Sequence, residues 1–332
     1  MKNTSINIII SITVFFLAAC GNTGVTEYHE GKRDNVIDGT SLMISIDDNL
    51  PPIHSLAAPI MAGDTLIIQD YRATDHMYTA YDIYNDSTIG RFGKIGGGPG
   101  EVGNPLFCFY NRYDRNLYVG NGMRGKISCL YLPEAVSDST YDAVDRMPMD
   151  FTKGILYPHV INESTVMCTT YPNLSTRVSR ISTLNLNTGE ITVIDSLAPD
   201  DNIRAGIVVS EKDNLIFSAD KQHDMIRLLD MDSNLRGIVY GPDYDENVEK
   251  DDYFFSDSEI CGDIVASIYT GRNSENERNK IILTDLDGRY LKTLLFDATV
   301  WGMQYHDKTG RLYLTTKGEP QIGYIKLDKI TD

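Results

Sequence analysis

The thiol of Cys20 has the most constrained surroundings of any reactive side chain in this 332-residue sequence. Met1-Lys2 opens a short basic region, Ile6 to Ala19 is almost wholly apolar, and the run ends Leu17-Ala18-Ala19-Cys20-Gly21. A hydrocarbon core about 30 Å thick takes about 20 helical residues to cross. The stretch is too short for that and fits the apolar region of a signal peptide ending in small residues. Residues 1–19 are expected to stand outside the folded domain.

The other reactive side chains form no recognisable set. His29, His54, His76, His159, His223 and His306 show neither HxH nor HExxH spacing, and lone histidines of this kind read as satisfied surface or core residues. No GxSxG elbow is present to raise a serine nucleophile. The acid clusters Asp200-Asp201-Asn202, Asp243-Tyr244-Asp245-Glu246 and Asp251-Asp252 carry oxygen ligands suited to Ca²⁺, but none has EF-hand spacing. They read as solvated turns, so no cofactor or metal is expected, with Ca²⁺ or another divalent cation kept as the alternative. Cys108, Cys129, Cys168 and Cys261 lie in apolar or aromatic runs without CxxC spacing, the setting of buried free thiols. A disulfide among them stays open in an oxidising compartment.

Thirty Lys plus Arg against 47 Asp plus Glu give a net charge of −17. That balance opposes nucleic-acid phosphates and anionic lipid surfaces. Residues 20–40 are polar and glycine-rich, and read as a flexible tether ahead of a domain over 41–332.

The elements that must position any site are strands. After residue 40 there is no sustained helical periodicity, only short β-branched and aromatic runs broken by Asp, Asn and Gly turns. An apolar–polar–apolar strand end before an acidic or Asn/Gly turn recurs. Its equivalent positions Ile83, Leu132, Leu186, Met231, Leu286 and Leu327 are 49, 54, 45, 55 and 41 residues apart. Propeller blades repeat at about this period. Each unit has a strand in front of that hairpin, such as Leu215-Ile216-Phe217, and a further one before it, such as Ile207-Val208-Val209. The expected fold is therefore an all-β, six-bladed β-propeller with four antiparallel strands per blade. The sixth unit stops after its third strand, near Leu327, so Leu42–Ile46 is expected to complete it and close the ring.

Between the first two units lies Arg91-Phe92-Gly93-Lys94-Ile95-Gly96-Gly97-Gly98-Pro99-Gly100-Glu101. Its glycines read as a sharp inter-blade crossing with positive φ at several positions, rather than as an anion-holding nest of N–H groups. No Gly-Lys-Ser/Thr follows, so it is not a P-loop.

The Leu17–Cys20 run resembles the lipobox of bacterial lipoproteins, which implies a lipidated Cys20 and an anchor of acyl chains. With the Gly96–Glu101 segment after the first blade and blade units running to the C-terminus, the mature chain resembles the TolB-like six-bladed propeller lipoproteins of Bacteroidetes. That resemblance implies fold and compartment and is nearly silent on activity. Surface-exported lipoproteins of that phylum often carry an acidic run after the cysteine. Gly21-Asn22-Thr23-Gly24 lacks one, which implies the periplasmic face of the outer membrane.

In this blade register the inter-blade loops bring His54, Glu101, Lys153, Arg204 and Trp301 to the channel mouth, with Asp257 and Glu259 ahead of blade five. A mixed-charge rim with an aromatic fits a small ligand or peptide. The expected function is a non-catalytic, membrane-anchored module binding an envelope protein, peptide or glycan. The alternative is a lactonase-type hydrolase with a channel-bound divalent cation held by Glu101, Asn202 and Asp257.

Overall fold

In each blade the second strand is buried on both faces, which only a position between two other sheets allows. Asn116–Asn121 and Leu215–Asp220 are buried at every residue. Because successive strand residues point to opposite faces, each blade feeds two cores. Leu66, Ile68 and Tyr81 of the first blade pack toward the last, whereas Ile67, Tyr78 and Ala80 pack toward the second. The computed structural model describes residues 24–53, 56–150, 152–171, 179–194, 205–247, 253–272 and 279–330. Among them each of the six inter-blade seams has its own apolar cluster.

The blades run in chain order. Blade 1 is Ala57–Ala62, Thr65–Asp70, His76–Asp82 and Ser87–Lys94. Blade 2 is Pro105–Asn111, Asn116–Asn121, Lys126–Tyr131 and Val144–Pro148, with the short helix Leu132–Ala135 before its last strand. Blade 3 is Ile155–Asn162, Thr165–Thr170, Arg180–Asn185 and Ile191–Val193. Blade 4 is Ala205–Ser210, Leu215–Asp220, Met225–Leu229 and Leu235–Tyr240. Blade 5 is Phe255–Cys261, Ile264–Tyr269, Lys280–Asp285 and Tyr290–Leu295. Blade 6 is Val300–His306, Arg311–Thr316 and Ile322–Lys326, with Ile44–Ser45 as its fourth strand. The first strands of successive blades neighbour one another around a complete ring. The fold is the six-bladed propeller expected from the repeat.

Closure uses the N-terminal strand, in a shorter form than expected. Ile44 and Ser45 pair antiparallel with Tyr324 and Gly323. Ile46 follows, donating its N–H to the Ile322 carbonyl at 3.1 Å and burying its side chain in the seam between blades 6 and 1. The Asp47 carboxylate then accepts the N–H groups of Gln321 and Ile322, both at 2.7 Å. Charged hydrogen bonds of this kind are worth about 1.5–3 kcal/mol, so Asp47→Ala is expected to cost about that much in chemical denaturation. A change within about 0.5 kcal/mol, as at an ordinary surface site, would show that the latch lies elsewhere.

The tether expected over 20–40 is corrected from Thr26 onward. Thr26–His29 adds in parallel to the outer edge of blade 4, and Val36–Asp38 adds in parallel to blade 5. Between them Arg33 enters the seam of these blades. It donates to Asp224 at 2.8 Å and to Glu30 at 2.9 Å, and its guanidinium carbon lies 5.1 Å from the centre of the Tyr269 ring. The polar composition fits a tether, but unpaired edge N–H and C=O groups take up backbone whatever its side chains. Cys20 lies outside the described residues.

Candidate functional site

The inner strands leave an axial cavity of about 580 Å³, lined by residues from all six blades. It opens where each inner strand turns back into its second strand. Asp64, Arg112, Glu211, Asp307 and Lys308 stand at that rim, and Tyr157 lies near the opposite end. The turns form where they do because short polar side chains bond within them or a glycine takes positive φ. Asn111 accepts the N–H of Tyr113, Ser210 donates to Asp213, and Gly310 closes the blade 6 turn at φ +62°.

Tyr157 makes the cavity a cup. It sits in a register break between Leu156 and His159 at φ +49°, a conformation that costs a non-glycine residue about 1–3 kcal/mol. The break swings its ring against Gly206 of blade 4, where an added Cβ would lie 3.1 Å from the ring, and its hydroxyl donates to the Ser256 carbonyl of blade 5 at 2.8 Å. One side chain thus reaches from blade 3 to blade 5 at the leading ends of their inner strands.

The cup walls differ. Blades 1 to 4 contribute mainly apolar and aromatic groups, among them Met61, Phe109, Tyr110, Ile161 and Val209. Blades 5 and 6 contribute Asp257, Ser258, Glu259, Gln304, Tyr305 and Asp307. Glu259 accepts Gln304 Nε2 at 3.2 Å and the Tyr305 N–H at 3.1 Å, while Gln304 Oε1 accepts the Met61 N–H at 3.1 Å. This network fixes the Glu259 carboxyl facing the cup. Burial, with the nearby charges of Asp257 and Asp307 adding to it, pushes its pKa up to about 8. At neutral pH most of it carries a proton.

His159 also lies deep in the cup. Its Nε2 lies 2.7 Å from the Ile207 carbonyl, which accepts and so requires the proton on Nε2. Burial lowers its pKa, favouring the neutral ring with Nδ1 as an acceptor. Burial pushes the Cys108 thiol up to about 12, which removes it as a thiolate nucleophile at neutral pH. At the rim charged side chains of different blades meet. Arg112 of blade 2 reaches Glu211 of blade 4 at 2.8 Å, and Lys308 and His306 of blade 6 reach Asp64 of blade 1 at 2.8 Å and 3.1 Å. Among the described residues no three His, Cys, Asp or Glu side chains are grouped to hold a metal, and Cys108, Cys129, Cys168 and Cys261 are free thiols.

Of the residues expected at the channel mouth, the described ones, Glu101, Lys153 and Trp301, do not line this cup. His54 and Arg204 lie outside the described residues. Lys153 sits before blade 3, 4.0 Å from Asp150, and Trp301 lies under the ammonium of Lys317 at 4.5 Å. Glu101 folds into its own loop, where Oε2 accepts the Gly98 N–H at 2.7 Å. These loops do mark the leading ends of the inner strands, but the open end is the other one. Of the proposed metal ligands, Asp257 faces the cup, Glu101 faces away from it, and Asn202 is outside the described residues. Asp257 and Glu259, read as lying ahead of blade 5, are on its inner strand.

The glycine loop also differs in detail. Within Arg91–Glu101 two glycines, Gly93 and Gly100, have positive φ, at +71° and +78°, and Gly96, Gly97 and Gly98 do not. Gly96 and Gly98 are small for another reason, since a Cβ there would lie 2.0 Å and 2.9 Å from the Glu101 carboxylate. Pro99 completes the turn that brings Glu101 back. The Gly98 N–H is taken up by the chain's own carboxylate.

No family profile matches the chain, and no curated protein matches it. Solved structures do. A member of the DUF4221 family from Bacteroides vulgatus superposes with a TM-score of 0.55 at 9% identity, covering 86% of this chain and 95% of that one. An exported protein from Bacteroides fragilis gives 0.53 at 11% identity, over 82% and 80% of the two chains. The extracellular domain of a one-component system from B. thetaiotaomicron gives 0.50 at 14% identity, over 84% of this chain and 34% of that one. At these identities the likeness is one of fold, and the chain is similar to propeller-like proteins of Bacteroides.

Proposed function

We propose that this chain is a TolB-like envelope lipoprotein, anchored through Cys20 on the periplasmic face of the outer membrane. There it serves as a binding module for a protein, peptide or glycan. The lipobox-like run ahead of Cys20 supports the anchor. Fold neighbours described as exported or extracellular support the compartment. The observation that carries the binding role is the cup, a walled cavity of about 580 Å³ with polar groups on one side and apolar groups on the other. Ligand sites in general have this size and this mixture.

Two measurements on the full mature protein test the reading. Cys20→Ala should release it from membranes and end acyl-label incorporation, and continued pelleting and labelling would sink the anchor. For the cup, a partner captured from envelope extract should bind Asp257→Asn at least tenfold more weakly, with the melting temperature unchanged. Full affinity in that variant would move the site to the outer blades.

A further inference from the structure

The cup is asymmetric in charge as well as polarity, and the asymmetry selects a ligand. Both cations at the rim are engaged, Lys308 with Asp64 and Arg112 with Glu211. The wall of blades 5 and 6 carries carboxyl groups. Glu259 receives only uncharged donors from the groups that hold it, Gln304 Nε2 and the Tyr305 N–H. Asp257 on its own strand and the exposed Asp307 of blade 6 set further carboxylates around it. Opposite them stand Tyr110 and the apolar flank of Ile161 and Val209, with Tyr157 at the closed end.

We infer that the cup receives a cationic side chain of a peptide or protein, an ammonium or guanidinium on an apolar stem, with Glu259 and Asp307 as its counter-charges and Tyr110 with the apolar flank of Ile161 and Val209 against the stem. This rests on the reading of the cup as the ligand site. An anion entering here would meet like charges on the one wall that offers polar contacts. A neutral hydroxyl ligand would leave that repulsion standing. A cation relieves it.

Binding is then linked to a proton. Glu259 faces Asp257 and the Cys261 thiol on its own strand, Tyr305 and Asp307 from blade 6, and His159 with the Arg112–Glu211 pair across the cup. Burial and the two aspartates keep Glu259 protonated below about pH 8, so a cation must displace that proton. A lysine ammonium itself stays charged to about pH 10. The sign is fixed: affinity rises with pH, by up to about a hundredfold between pH 6 and pH 9, and levels off above pH 8.

The test is calorimetry on the full mature protein with three probes. They are acetyl-Gly-Lys-Gly-amide, the same peptide acetylated at the lysine Nε, and acetyl-Gly-Glu-Gly-amide. The lysine peptide should bind, should release protons on binding at pH 7, and should tighten toward pH 9. Nε-acetylation should weaken it at least tenfold. Glu259→Gln should flatten the pH dependence, and Asp307→Asn, an exposed change unable to disturb folding, should weaken binding about threefold or more. Equal binding of the two lysine forms, tighter binding of the glutamate peptide, or no binding by any of the three would overturn the inference. A captured anionic or neutral partner whose affinity falls in Asp257→Asn would overturn the cation alone and leave the binding-module reading intact. A partner indifferent to that variant would overturn both.

Discussion

Arg33→Ala is expected to destabilise the protein by about 3–5 kcal/mol, the cost of removing one partner from a buried ion pair. Arg33 is 8% exposed, Glu30 2% and Asp224 0%, so the two carboxylates left behind have no route to water without opening the seam between blades 4 and 5. Burial already pushes both carboxyls up, against the pull of Arg33. The surroundings allow little rearrangement. The Tyr269 hydroxyl donates toward Asp224 at 3.2 Å, and at Gly241 an added Cβ would lie 2.2 Å from the Asp224 carboxyl. Guanidinium denaturation of Arg33→Ala beside the unaltered protein reads the loss directly. Arg33→Lys should restore part of it, since an ammonium keeps the charge but lacks the fork that serves two carboxylates at once. A loss below about 1 kcal/mol, the range of exposed ion pairs, would return the segment to the status of a tether.

Glu259 should give the protein a stability that falls with pH, the reverse of a salt-bridged carboxylate. Its pKa rises from 4.5 in the unfolded chain to about 8 in the fold. The folded state therefore holds the proton that the unfolded state releases. The contribution is complete below pH 4.5 and is lost as pH rises through 8, at about 1.4 kcal/mol per unit in between. Glu259→Gln cannot titrate, and its amide meets the Gln304 amide donor, so one hydrogen bond worth about 1 kcal/mol is lost. The variant should be the less stable protein at pH 5 and the more stable one at pH 9. Melting curves of the two proteins across that range should cross. Parallel curves would mean that Glu259 is ionised throughout, and the linkage proposed for the cup would fall with it.

The number of blades was legible because a blade is a local repeat. The spacing from Ile83 to Leu327 and the alternating runs such as Leu312-Tyr313-Leu314 are written in consecutive residues. Even the ring closure could be read, since a sixth unit one strand short implies a donor at the other terminus. The docking of Thr26–His29 and Val36–Asp38 could not be read, because a parallel edge strand is held by backbone groups that every sequence has. Arg33 was the available signal, a lone cation among polar residues, and its partners lie 3 and 191 residues away.

The same distinction separates the two ends of the channel. Both ends of a propeller carry polar, glycine-rich turns, so composition does not favour the loops around Glu101 and Trp301 over the turns around Arg112 and Asp307. One side chain decides between them. Tyr157 is displaced by a register break and crosses to Ser256, 99 residues away, narrowing one end and leaving the other open. Sequence determines what neighbours along the chain determine: strands, repeat and closure. The cup, its protonated Glu259 and the buried Arg33 come from contacts between blades. Their energies depend on burial and distance, which are fixed only when the ring is assembled.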